Sequence, residues 1–186
     1  MPDVEALKRE AGIAACKYVR NGMKIGLGTG STVKHTIIEI GRMMAEDGLE
    51  IVGVPTSEAT RDLAESLNMP LLKISEVKSL DLTIDGADEF DEDFSLIKGG
   101  GGALTREKIV ANLSKSMIVV ADETKRVKVL GSFKLPVEAD PTHVEGVVRE
   151  ISDFCPGEVT IRPSTHTNNP NGEPYICLLY TSRAHE

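Results

Sequence analysis

Short apolar runs that each feed a turn of small or polar residues and then a helical pattern constrain this chain of 186 residues more than any other feature. Lys24 to Leu27 reads as a strand, Gly28 to Ser31 as a glycine-rich turn, and Thr32 to about Met44 as a helix. The pattern returns with Ile51 to Val54 as a strand and Ser57 to Leu67 as a helix, followed by short strands at Leu71 to Lys73 and Leu80 to Ile84. Ahead of it, Val4, Leu7, Ala11, Ala14, Ala15 and Tyr18 recur near helical spacing, and Asn21-Gly22 closes a helix over Val4 to Val19. After an acidic, irregular stretch from Asp85 to Phe94 come Gly99 to Gly102, a helix from about Ala103 to Ser114, and the apolar strand Met117 to Val120. Consecutive parallel strands need crossover connections, so this alternation implies an α/β fold: a Rossmann-like parallel sheet flanked by helices.

Beyond Gly131 the texture changes, with Pro136, Pro141, Pro156, Pro163, Pro170 and Pro174 dividing shorter elements. Val144 to Phe154 reads as a helix and Glu158 to Arg162 as a strand, which divides the chain into residues 1–131 and a smaller α+β domain over 132–186. A composition of 40% hydrophobic and 27% charged residues suits one good core and a small second one. No run approaches the roughly 18 apolar residues of a membrane helix. The opening MPDVEALKREAG is charged where a signal peptide is apolar, so the expectation is a cytoplasmic protein without membrane contact. Net charge is −8 with no basic block, which argues against a nucleic-acid surface, because phosphate neutralisation needs clustered Lys and Arg. Cys16, Cys155 and Cys177 are odd in number and widely spaced, suggesting neither a disulfide framework nor a metal site.

Four segments are candidates for chemistry. In IGLGTGST, residues 25–32, glycines let backbone approach a ligand, while N–H groups at the helix start and the hydroxyls of Thr29, Ser31 and Thr32 suit phosphate oxygens. An ordinary tight turn is the competing reading. A dinucleotide fingerprint fails because Ser31 stands where its third glycine belongs, and a P-loop fails because no Gly-Lys-Ser/Thr follows. In LTIDGADEFDED, residues 82–93, an apolar strand runs into Asp85 with Asp88 three residues on, and carboxyl ends of strands form the ligand crevice of open α/β sheets. The spacing is wrong for a calcium loop, and Glu89, Asp91, Glu92 and Asp93 read as a solvated acidic turn. LIKGGGGALTREKIVANL, residues 96–113, sets Lys98 before four glycines and Glu107 in the first turns of a helix. Four glycines cost backbone entropy, which points to close approach of something to the chain. VVADETKRV, residues 119–127, delivers Lys125 beyond another strand.

Taken in order, GTGST at 28–32, SEAT at 57–60, DGADE at 85–89, KGGGGALTREK at 98–108, ADETK at 121–125 and LPVE at 135–138 resemble the A-type ribose-5-phosphate isomerase family. The resemblance covers roughly residues 5–162. It implies a reversible aldose–ketose isomerisation of D-ribose 5-phosphate and D-ribulose 5-phosphate through an enediolate, with no cofactor and no metal. Glu107 matches the family's general base, which moves a proton between C2 and C1. Asp85 and Asp88 match residues that contact sugar hydroxyls and assist ring opening. Lys98 with Gly99, Gly100 and Gly101 matches the segment that binds substrate and steadies the enediolate oxygen. Thr29, Gly30, Ser31 and Thr32 match the substrate-binding turn, Gly86 and Ala87 lie within the matching DGAD, and Lys125 matches a further substrate contact. Lys8 in the first helix is expected to add charge near the phosphate. These loops are expected to meet at one rim of the sheet. The family also implies a homodimer or homotetramer, given a complete second domain. LLYTSRAHE, residues 178–186, departs from the family's closing segment, so the small domain is expected to be truncated. Two other classes share the general architecture, a non-catalytic sugar-phosphate sensor and a coenzyme A transferase, and neither finds separate support in the sequence.

Overall fold

Asp3 opens the first helix by accepting hydrogen bonds from the N–H groups of Glu5 and Ala6, and α1 (Val4–Ala15) continues through a 3-10 turn to Tyr18. The computed structural model describes residues 3–140, 142–154, 158–161 and 177–181, with 154 and 177–181 as backbone only. Four strands follow the sequence pattern closely: β1 (Lys24–Leu27), β2 (Val52–Pro55), β3 (Leu82–Gly86) and, after the two-residue strands β4 (Glu89–Phe90) and β5 (Leu96–Ile97), β6 (Met117–Val120). They assemble as a parallel sheet in the order β2-β1-β3-β6, with Gly26 aligned to Val54 and Thr83, and Gly86 aligned to Val120.

The chain packs as two units. The first comprises residues 1–87 and 103–126, the second residues 88–102 and 127–186, so the segment 88–102 belongs with the second unit although a division at 131 assigns it to the first. In the first unit α2 (Ser31–Glu46) turns Val33, Ile37 and Ile40 onto Ile25, Leu27 and Ile84 of the sheet, all nearly inaccessible to solvent. Burying side chains of this size contributes about 1.5–3 kcal/mol each, which fixes α2 over the exit of β1. Helix α3 (Glu58–Ser66) begins at Ser57, whose hydroxyl accepts from the Thr60 N–H at 3.2 Å.

Helix α4 (Leu104–Leu113) is clamped to the sheet at its far end, where the Thr83 and Ser114 hydroxyls lie 2.5 Å apart. A Cβ on Gly26 would stand 2.4 Å from Val110, so the strand is bare there to admit the helix.

One expected strand is not formed. Leu71 makes a single parallel bridge to Gly53, after which the Lys73 N–H is taken by the Glu76 carboxylate and the chain enters a 3-10 turn over Ile74–Glu76. A strand of three residues gains too few ladder bonds to compete with that local turn.

The second unit holds the antiparallel β4–β5 pair, in a stretch where sequence periodicity shows no strand, and a sheet in the order β7-β9-β8. Its strands are β7 (Leu135–Ala139), β8 (Val159–Ile161) and β9 (Cys177–Thr181), with α5 (Val144–Phe154) spanning the residues expected for a helix. Backbone at 178–181, within the segment that departs from the family pattern, pairs with Val137 and Ile161 through Leu179. Residues 182–186 and Cys155 lie outside the described residues, as do Tyr175 and Ile176.

The solvated reading of the acidic run is corrected at Glu89, which is 4% exposed. Its carboxylate accepts the N–H groups of Gly131, at 2.8 Å, and Phe133, tying the hairpin to a segment some forty residues away in sequence. Asp91 instead closes its own turn by accepting from Asp93 and Ser95, while Glu92 and Asp93 are exposed as expected. Glu89→Ala leaves both donors without their acceptor and is expected to destabilise the chain by about 1–3 kcal/mol, a cost that Asp91→Ala at the half-buried turn should not match. Urea unfolding of the two variants against wild type measures the difference.

Candidate active site

The carboxyl ends of β1, β3 and β6 stand side by side in the first unit, and each continues directly into a candidate segment. Asp85, near the end of β3, is fully buried, and its Oδ1 accepts the N–H of Thr29 at 3.1 Å and of Gly86 at 2.7 Å. The Gly28 N–H extends the ladder to the Ile84 carbonyl at 2.9 Å, so the turn after β1 lies flush against the end of β3. A Cβ on Gly28 would sit 2.2 Å from Asp85 Oδ1 and 2.5 Å from its Cα, which admits only glycine. Thr29 and Asp85, expected to share a site, are in direct contact.

Gly30, at φ 133°, is a backbone conformation that side chains rarely adopt, and it starts α2 without a side-chain cap. The first N–H groups of α2, including those of Ser31 and Thr32, have no carbonyl of their own helix to meet. Thr32 is buried and Ser31 exposed.

Behind the turn stands a group of hydroxyls. Thr29 Oγ1 lies 2.7 Å from Thr56 Oγ1, Thr56 donates to the Leu27 carbonyl at 3.1 Å, and Thr60 donates to the Gly28 carbonyl at 2.8 Å. Sequence reasoning assigns Thr56 and Thr60 no role. Thr60 does fall in the SEAT match at 57–60, and the two residues share a placement signal: threonines four apart, bracketing a serine helix cap just past an apolar strand.

Glu107 sits in the first turn of α4 and is 3% exposed, with its N–H on the Ala103 carbonyl at 2.9 Å. Glu107 and Val110 are the buried residues of this helix, three apart and on one face, and Val110 faces Gly26. Since Ser114 meets Thr83 and Leu80 at the start of β3, the helix runs against the strand direction and Glu107 lies toward the carboxyl end of the sheet. The first turn of α4 is also tied to α3 by Arg106, whose guanidinium is 3.1 Å from Glu58 Oε1. Lys125, half-buried, ends the 3-10 turn that follows β6, and its N–H meets the Asp122 carbonyl at 3.0 Å. Asp122 is 3% exposed and caps that turn through Oδ1, while its Oδ2 meets no hydrogen-bond partner among the described residues. Lys8 is half-buried on α1, 3.8 Å from Glu5.

The second unit carries the remaining candidates. The Asp88 N–H meets the Ile97 carbonyl at 2.7 Å, one position beyond the Glu89–Ile97 pair, which puts Asp88 and Lys98 at opposite positions of the same two-stranded element. Asp88 Oδ2 accepts the Gly100 N–H at 2.7 Å, and a Cβ on Gly100 would stand 2.6 Å from the Asp88 carboxylate. Gly99 and Gly102 take φ 105° and 76°, and the Gly102 N–H returns to the Gly99 carbonyl at 2.9 Å, so the glycine run is a structured turn around Asp88. Lys98 is half-buried. Among the described residues no group of three or more His, Cys, Asp and Glu is placed to hold a metal ion, and no helix is long and apolar enough to cross a membrane.

Comparison with known proteins gives a consistent result. The sequence profile of ribose 5-phosphate isomerase A (phosphoriboisomerase A) matches residues 52–177. The ribose-5-phosphate isomerase A of Nitrobacter hamburgensis is 55% identical over 150 residues, which is 81% of this chain and 64% of that protein. The chain therefore spans a little under two thirds of that relative's length. Among solved structures, ribose 5-phosphate isomerase A of Methanocaldococcus jannaschii is 38% identical with a TM-score of 0.86, covering 96% of this chain and 80% of that one. A D-ribose-5-phosphate isomerase in complex with phospho-erythronic acid is 33% identical with a TM-score of 0.88, covering 99% and 82%. The parallel α/β sheet, the buried carboxylates at its carboxyl end and these matches lead to one conclusion: the chain belongs to the ribose 5-phosphate isomerase A family.

Proposed function

We propose that the chain interconverts D-ribose 5-phosphate and D-ribulose 5-phosphate, with Glu107 as the base. The observation that carries this reading is a pair of carboxylates, Asp85 and Glu107, buried in one unit at the end of the sheet where α/β proteins bind small molecules. Moving a carbonyl from C1 to C2 requires one base near both carbons, groups that exchange protons with both oxygens, and positive charge or N–H groups for the enediolate. Glu107 removes the proton from C2 and returns it to C1. Asp85, its orientation fixed by two N–H donors, and Asp88, held by Gly100, contact the sugar hydroxyls and assist ring opening and proton movement between the oxygens. Lys98 with Gly99, Gly100 and Gly101 steadies the enediolate oxygen, and Thr29, Gly30, Ser31, Thr32, Gly86, Ala87 and Lys125 complete the substrate contacts. In this reading the chain needs no metal or organic cofactor, acts in the cytoplasm, and works as a homodimer or homotetramer.

A spectroscopic assay for ribulose 5-phosphate formed from ribose 5-phosphate tests it. Turnover that persists unchanged in a chelator is the expected result. Binding of the sugar phosphate without turnover favours a sensor, and a requirement for coenzyme A favours a transferase.

A further inference from the structure

We propose that Thr56 and Thr60 are positioning residues that hold the Thr29 hydroxyl as a hydrogen-bond acceptor, so that the turn reads a sugar hydroxyl and leaves the phosphate to the N–H groups that open α2. The inference rests on the isomerase reading above and adds to it the direction of one hydrogen bond. Four hydroxyls of the first unit are involved, and a hydroxyl has one proton to give and two lone pairs to receive. Thr56 is fully buried, so its proton must be used inside the protein. It reaches the Leu27 carbonyl at 3.1 Å, an oxygen that also takes the Thr56 N–H at 2.9 Å and has a lone pair for each. The buried Thr60 hydroxyl reaches the Gly28 carbonyl at 2.8 Å, and the Ser57 hydroxyl donates in turn to Thr60 at 3.0 Å.

With those protons committed to carbonyls, the 2.7 Å contact between Thr29 and Thr56 has one remaining donor, the Thr29 hydroxyl. The opposite direction, Thr56 donating to Thr29, takes the buried Thr56 proton from a carbonyl to a weaker hydroxyl acceptor and leaves the Thr29 proton, within the protein, only the Thr60 oxygen at 3.5 Å. The first arrangement satisfies all four protons by the shorter contacts. In it Thr29, half-buried, turns lone pairs toward its open side. The dianion of a phosphate ester has no proton to offer a lone pair, whereas a sugar hydroxyl has one. Thr29 therefore selects for the hydroxylated carbon chain, and its backbone N–H, given to Asp85, ties the same residue to that carboxylate.

The test measures calorimetric binding, above the second phosphate pKa, of two probes: phospho-erythronic acid, which carries hydroxyls, and methyl phosphate, whose dianion has neither a hydroxyl nor a proton to donate. Thr56→Val keeps the volume of the buried side chain and removes the acceptor for the Thr29 proton. It is expected to weaken phospho-erythronic acid on the order of tenfold and methyl phosphate by less than twofold, with Thr56→Ser restoring the wild-type value. Thr29→Val should show the same selectivity, and the Thr29→Val/Thr56→Val double variant should be no weaker than either single variant. Should Thr56→Val fail to fold, the selectivity of Thr29→Val still decides. The proposal is overturned if methyl phosphate weakens in step with phospho-erythronic acid, if the two substitutions add, if serine fails to rescue, or if the wild type binds neither probe. Wild-type turnover, assayed alongside, separates the cases: turnover without the selectivity sinks this inference alone, and absent turnover sinks the isomerase reading.

Discussion

If Glu107 is the base as proposed, Glu107→Gln is expected to lower kcat by roughly 10²- to 10⁴-fold, the range a positioned general base contributes, while KM and the melting temperature are expected to stay close to wild type. Glutamine fills the same volume at a buried site in the first turn of α4, so the packing of Val110 on Gly26 and the hydroxyl contact at Ser114 persist. The charge near the positive end of a helix is worth about 0.3–1 kcal/mol to stability, which is small beside the expected loss of a proton acceptor. Two readouts separate chemistry from folding. Exchange of the C2 proton of ribose 5-phosphate with deuterated water, followed by NMR, should fall with kcat, and thermal unfolding should not move by more than a few degrees. Near-normal exchange in the variant would remove Glu107 from the role of base.

The partner of Glu107's helix allows a control. Arg106 in the same turn reaches Glu58 on α3, and both residues of that pair remain partly exposed, so the ion pair contributes at most about 1 kcal/mol. A large catalytic loss in Glu107→Gln set against a small one in Glu58→Gln separates a chemical role from the anchoring of the turn.

How much of the molecule is legible in the sequence depends on whether one element carries the signal or two distant ones share it. Lys24–Leu27, Met117–Val120 and Val144–Phe154 have the bounds that the sequence pattern predicts, because a buried strand or an amphipathic helix is announced by its own residues. Strands β4 and β5 have two residues each, fewer than any alternation needs to show itself, and exist through their pairing. Glu89 looks like its acidic neighbours because its acceptor role depends on N–H groups of Gly131 and Phe133, beyond any local pattern. The candidate residues divide in the same way. Asp85, Lys98, Glu107 and the turn at 28–32 stand out by adjacency to strands and glycines, and the contact of Thr29 with Asp85 follows from strand order. Thr56 and Thr60 bond to carbonyls of β1 and of the turn after it, so their four-residue spacing and the place of Thr60 in SEAT mark the residues without announcing that contact.

Gly28→Ala carries the second large expected effect, and its cause is steric. The added methyl carbon would overlap the Asp85 carboxylate and approach its Cα within 2.5 Å, well inside contact distance. Neither neighbour yields cheaply, because Asp85 is fully buried and the Gly28 N–H is bonded to the strand that carries it. Relief requires the turn to lift from β3, which breaks the Thr29 N–H bond to Asp85 and shifts Thr29 away from Thr56. Overpacking of this kind costs about 1–3 kcal/mol of stability. Displacing both groups by about an ångström is expected to cost a further factor of roughly 10² in kcat/KM. Gly146 supplies the opposite sign within the same chain. It lies inside α5, a methyl group added there would meet no atom within 4 Å, and Gly146→Ala is expected to raise stability by about 0.5–1 kcal/mol with activity unchanged. Parallel melts and ribose 5-phosphate assays of the two alanine variants decide the matter: if Gly28→Ala behaves like Gly146→Ala, the turn is not seated against Asp85 and the arrangement of the first unit's site is wrong.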